Sequence, residues 1–202
     1  MDELTHTVAV HEAGHAVAWL DLRAGGRLDK LTIGRPTKIQ MIAGLSHTDA
    51  TAALAGEAEF LYGGCHADAP PRPVARIAYS LAGPLAAARF ELGCLPTASA
   101  PAFLLAVRLD EVAAEGDTWQ IDRALAAVHP RARRRVLNRA YARARRIVDR
   151  EWPRILALGA ELAARGRLDG AEVEKILASL PRDAGDARAH SAATPRGGAG
   201  AD

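Results

Sequence analysis

Apolar residues recur at helical spacing over most of this chain, and one short stretch alone reads differently. Residues 5–22 carry Val8, Val10, Ala13, Val17 and Leu20 at that period, and the pair Gly25-Gly26 ends the run. Residues 74–92 repeat the pattern with Ile77, Leu81, Leu85, Ala88 and Leu92, although Pro84 falls inside and is expected to kink or split the helix. Further helices are predicted over residues 51–62, over 103–114 with a stop at Gly116, and over 119–128 behind Asp117 as N-cap. A long helix follows over 131–164 with a break near Pro153, and after a turn at Leu168-Asp169-Gly170 a last helix covers 171–180. Only residues 31–33 and 39–45 read as strands, joined by a turn at Gly34-Arg35-Pro36. Residues 63–73 and 96–101, rich in Gly or Pro, read as loops.

Composition agrees with that pattern. The chain is 49% hydrophobic but only 4% aromatic, and Ala and Leu supply much of the apolar content. These residues favour helix over strand. The expected fold is mainly α with a small β-hairpin or sheet, in one domain over residues 1–180. Residues 181–202 hold almost no large apolar side chains and read as a disordered tail.

Charge excludes more than it suggests. Lys and Arg number 26 against 24 Asp and Glu, a net charge of +2, which makes no global case for nucleic acid or membrane. No basic region leads into an apolar run at the start, and no apolar stretch reaches the ~18–20 residues of a membrane span. The arginines from Arg131 to Arg150 read as a solvated helix face, with Val136, Leu137, Tyr141, Ile147 and Val148 turned to the core. Aromatics do not interleave with them as base stacking requires, so nucleic acid is not an expected partner. Cys65 and Cys94 have neither metal nor redox spacing; both read as buried small hydrophobes of a protein in a reducing cytoplasm. Trp19, Trp119 and Trp152 read as core or groove residues, and His66 beside Cys65 is too sparse for a metal site.

The segment that carries chemistry is His11-Glu12-Ala13-Gly14-His15, an H-E-x-x-H sequence on the first helix. Residues four apart share a helix face, with Cβ atoms about 5–6 Å apart. Two imidazoles so placed can converge on one tetrahedral Zn²⁺. Glu12, next to the first ligand, has the place of a general base that takes a proton from water at the metal. The small residues Ala13, Gly14 and Ala16 let another helix or a substrate approach closely. A third protein ligand is needed, and no His follows at short spacing, so an acidic residue from a later helix is favoured.

The segment Thr7-Val8-Ala9-Val10-His11-Glu12-Ala13-Gly14-His15-Ala16-Val17 resembles the zinc-binding helix of the FtsH-type ATP-dependent zinc metalloproteases. Leu31-Thr32-Ile33 with Ala43-Gly44-Leu45-Ser46 resembles the β segment beside that family's cleft. Ser80-Leu81-Ala82-Gly83-Pro84-Leu85-Ala86-Ala87-Ala88 resembles its small-residue helix, and Glu115-Gly116-Asp117 the segment that contributes an Asp ligand. Residues 138–173 resemble its C-terminal helices. The resemblance implies a helical peptidase domain with a small sheet, Zn²⁺ as cofactor, and hydrolysis of peptide bonds in unfolded protein. It implies His11 and His15 as ligands and Glu12 as general base. Asp117 is the choice for third ligand, with Asp122 as the alternative; the plain structural role for Asp117 is the N-cap. The chain departs from the family in having no P-loop, no membrane span ahead of the peptidase part, and Ala near position 87 where an acidic residue is usual. A zinc metalloendopeptidase acting alone or with a separate ATPase partner is therefore expected, and a catalytically silent module with a structural zinc is the alternative.

Overall fold

The computed structural model describes residues 3–22, 27–34, 62–67, 72–110 and 116–181. Among them are seven helices and three strands. They are α1 (Glu3–Asp21), β1 (Leu28–Gly34), β2 (Tyr62–Ala67), α2 (Pro73–Leu92), α3 (Ala100–Asp110), α4 (Asp117–Ala126), α5 (Pro130–Arg150), α6 (Trp152–Arg165), β3 (Arg167–Asp169) and α7 (Gly170–Ser179). The fold is mainly helical with a small sheet. The strand expected at 39–45, most of the turn at 34–36 and nearly all of the tail lie outside the described residues, as do Gly25 and Gly26. So does the helix expected at 51–62, except for Tyr62, which opens a strand instead.

Alpha-1 is the central element. Every residue from Glu12 to Trp19 is buried, as in a helix covered on all sides. It packs against α2, α6 and the sheet. Small residues set how close those neighbours come. A Cβ on Gly14 would lie 2.7 Å from both the Ala82 carbonyl and the Ala86 methyl, so α1 and α2 touch backbone to backbone there. On the other side, a Cβ on Gly159 of α6 would lie 3.0 Å from Val10.

The sheet runs β2-β1-β3 and is antiparallel throughout. Leu31, fully buried in the central strand, stands opposite Cys65 on one side and Leu168 on the other. Two readings of the sequence are corrected here. Residues 63–73 do not form one loop: Gly63 and Gly64 pair with Ile33 and Thr32 within β2, so tertiary pairing overrides the low strand propensity of glycine. Arg167 to Asp169 is a strand rather than a turn, because it closes the other side of β1.

The helices also shift against the sequence reading. Alpha-2 runs through the buried Pro84 without ending. The long helix over 131–164 is two helices that meet at Glu151, with Pro153 in the first turn of α6, where its missing N–H costs nothing. Asp169 caps α7 in a capping box with Glu172. Alpha-5 turns Leu137, Ala140, Tyr141, Ala144, Ile147 and Val148 inward, while Val136 is half-buried. Cys94 is exposed, just past the left-handed Gly93 that closes α2, and only Cys65 has the partial burial expected of a small hydrophobe.

Candidate metal centre

The start of α4 meets the middle of α1 at one point. There, His11 Nε2 lies 3.0 Å from Asp117 Oδ2, His15 Nε2 lies 3.1 Å from the same oxygen, and the two Nε2 atoms are 3.1 Å apart. His11 and His15 reach this geometry because they are one turn apart, their rings nearly edge-on with centroids 4.8 Å apart. Asp117 arrives from 106 residues downstream because α4 packs against α2, which itself lies along α1.

The structure tests whether three such donors suit a metal. Donors at ~2.0–2.1 Å from a tetrahedral ion stand about 3.3 Å from one another, so edges of 3.0–3.1 Å are close to one face of that tetrahedron. The tautomer agrees. His15 Nδ1 donates to the Tyr79 carbonyl at 2.9 Å, which leaves a neutral His15 with its Nε2 lone pair facing His11 and Asp117. Two imidazole nitrogens and a carboxylate oxygen so close together need a shared cation, either a proton or a metal. Space is reserved as well: a Cβ on Gly83 would lie 2.3 Å from His15 Nε2, so only glycine leaves room for the imidazole.

Electrostatics follow from the same crowding. Burial alone would raise the Asp117 carboxyl, but the charge of His15 and the hydrogen bonds from His11 and His15 hold it well below the usual carboxylate range. Burial would lower His15, but the charge and hydrogen bond of Asp117, helped by Glu12, lift it to about 9 in the metal-free protein. Glu12 is only 6% exposed. Burial pushes its carboxyl up; His11 and His15 offset part of this, Asp117 adds to it, and the Cys65 backbone N–H stabilises the charged form. A buried carboxyl raised in this way, beside a metal-capable triad, can take up a proton and give it back. Burial likewise pushes up the Cys65 thiol and the Tyr79 hydroxyl, so neither ionises readily.

His11, Glu12, His15 and Asp117 thus gather in one place. Asp117 is not the N-cap expected of it: Gly116 holds that position, and Asp117 opens the helix with its carboxylate turned to the two histidines. Asp122 does not join them. One and a half turns further along α4, it pairs with Arg108 at the surface. Trp119 is half-buried and stacks under Arg123, whose guanidinium carbon lies 4.7 Å from the ring centroid. Sequence reasoning missed the Tyr79 carbonyl and the Cys65 N–H, since backbone groups carry no residue signature. For Gly83 a signal existed in the small-residue run around it. No known family profile matches the chain, and no characterised protein matches it significantly.

Proposed function

We propose that this chain is a zinc-dependent metalloendopeptidase that hydrolyses peptide bonds in unfolded protein. The observation that supports this reading is the triangle of His11, His15 and Asp117 donors, with the buried Glu12 next to it. Among the described residues three protein ligands gather, which leaves a fourth position open as in catalytic zinc sites. A bound zinc supplies Lewis acidity, polarising a carbonyl and acidifying nearby water. The chain's own residues supply the rest. Asp117 and the Tyr79 carbonyl hold the imidazoles in place, and Glu12 accepts the proton and returns it to the leaving amine.

Among the described residues the outer edge of β2 has no strand partner, and the Cys65 N–H of that strand reaches the Glu12 carboxylate. At Cys65 this edge is already engaged, its N–H by Glu12 and its carbonyl by the Tyr79 hydroxyl at 3.3 Å, so an extended substrate would pair with the edge beside that residue and pass the acid–base group. The resemblance to FtsH-type peptidases, a cytoplasmic location and a separate ATPase partner belong to the same proposal. Among the described residues no helix is long and apolar enough to cross a membrane.

Metal analysis of the purified protein, with casein cleavage by wild type, Glu12→Gln and chelated protein, tests the reading. One zinc per chain is expected, with cleavage lost in Glu12→Gln and on chelation. Cleavage that persists in Glu12→Gln refutes the mechanism. Bound zinc in a wild type that cuts nothing favours a silent module with a structural zinc.

A further inference from the structure

Some of the described arginines pair with a carboxylate and others do not. Arg89, Arg108, Arg150, Arg154, Arg165 and Arg167 each face a carboxylate. Arg72, Arg139, Arg143 and Arg146 do not. Among the described residues no carboxylate pairs with any of the four, yet all of them line one cavity of about 400 Å³ with Val74 and Ala75. Arg146 meets the Ala142 carbonyl of its own helix, at a long 3.4 Å.

Convergence follows from helical spacing. Positions 139, 143 and 146 fall on one face of α5, and Arg72 joins them from the residue that precedes α2. Like charges at i, i+4 on a helix repel, and an anion bound between them would relieve that repulsion. The first turn of α2 adds the same sign of potential, for it has no acidic residue and no side-chain cap.

We propose that this cavity binds a short linear oligophosphate. Guanidinium forks take phosphate oxygens in pairs, and a chain of linked phosphates concentrates enough negative charge to answer four arginines in a small volume. A nucleic acid fits less well, since among the described residues no aromatic side chain lines the cavity to stack a base. An acidic peptide spreads its charges over flexible side chains that lose rotamer entropy on binding. The site shares no residue with the metal centre, and its occupancy does not depend on the peptidase reading.

Calorimetric titration of the full chain with tripolyphosphate tests this, beside the double variant Arg139→Gln/Arg143→Gln and the control Arg133→Gln/Arg134→Gln, which makes the same charge change away from that face of α5. One-to-one binding is expected, weakened roughly tenfold or more in the double variant and about twofold at most in the control. All three proteins should unfold at similar temperatures without ligand, because these side chains are exposed or half-buried. ATP binding as tightly as tripolyphosphate, with AMP much weaker, supports recognition of the phosphate chain and names a nucleotide as an eligible source. Tripolyphosphate bound tightly with ATP excluded supports a free oligophosphate. The proposal is overturned if affinity is the same in wild type and double variant, or if the control falls as far. Heat that tracks loss of metal from the protein overturns it too, as does a poly-glutamate peptide or single-stranded RNA that binds where tripolyphosphate does not.

Discussion

Two glutamates in this fold are equally buried and oppositely treated. Glu12 is 6% exposed and Glu151 is 7% exposed. Glu151, at the junction of α5 and α6, accepts hydrogen bonds from Arg150 Nε at 2.8 Å and Arg154 Nη1 at 2.7 Å. Burial would raise its carboxyl, but those two arginines hold it below the ordinary range. Burial raises the Glu12 carboxyl and outweighs the two histidines beside it, so it stays raised. The first arrangement ties two helices and Asp21 together through Arg150. The second keeps a proton-exchanging group where stability alone would place a neutral side chain.

Substituting glutamine at both positions separates the two roles. Glu12→Gln is expected to lower peptide cleavage by about 10²-fold or more. The metal-free protein should keep its unfolding temperature or gain slightly, since an unfavourable buried charge is gone. Glu151→Gln is expected to cost about 2 kcal/mol of stability, less than a fully buried pair because Arg150 is half-exposed. Metal content and cleavage below its melting transition should survive. Denaturant unfolding and steady-state cleavage of both variants check this; a strongly destabilised Glu12→Gln would remove the distinction.

Gly83→Ala comes next in expected size. The new methyl group would collide with His15 Nε2, and the imidazole must swing out of the triangle or α2 must move off α1. Zinc affinity is expected to fall about tenfold to a hundredfold, with a stability cost of about 1–3 kcal/mol. Competition with a chromogenic chelator measures the first and thermal unfolding the second. Gly93, with open space around its Cβ position and φ of 71°, is the contrasting case: alanine there strains the backbone but should leave metal affinity intact.

The pH dependence sharpens the same contrast. In the metal-free protein His15 titrates at about 9, against 6.5 for an ordinary histidine. A group raised on folding contributes stability in full below its unfolded value and loses it as pH rises through the folded one. Chelated protein is therefore expected to lose stability from about pH 6.5 to pH 9. Glu151, lowered on folding, works the other way: its contribution is present above 4.5 and is lost as pH falls below that. Metal must displace the His15 proton, so zinc affinity should rise about tenfold per pH unit up to about pH 9 and then level off. Zinc titrations at pH 7, 8 and 9 with unfolding curves in chelator check both statements; a flat affinity profile contradicts the shared-proton picture.

The metal corner was more legible in the sequence than the rest of the fold. His11, Glu12 and His15 stand on one helix at fixed spacing, so local geometry alone brings them together. Asp117 lies over a hundred residues away, and its identification came from resemblance, because no spacing rule spans the intervening strands and helices. Helix existence was also readable, from the apolar period. Beta-2 was not, because Gly63 and Gly64 form a strand only when β1 is beside them. The break near Pro153 was readable too, and it falls at Glu151 because proline marks the first turn of the following helix. The uncapped arginine cavity could not be foreseen, since Arg72 and Arg143 meet only through the packing of α2 on α5.

The smallest expected effect separates the two aspartates of α4. Asp122 is paired with Arg108, and both side chains are about half-exposed, so the pair is screened by solvent. Asp122→Asn should change stability by about 0.5 kcal/mol at most and leave zinc affinity within about twofold. Asp117→Asn removes the carboxylate that, among the described residues, lies within hydrogen-bond distance of both histidines. His15 should then titrate well below its present value, because the charge and hydrogen bond that lift it are gone. An NMR titration of the His15 ring in the two metal-free variants reads this directly: unchanged in Asp122→Asn and displaced downward in Asp117→Asn. Equal titration in both would mean that burial and Glu12, rather than Asp117, set the charge state of the triangle.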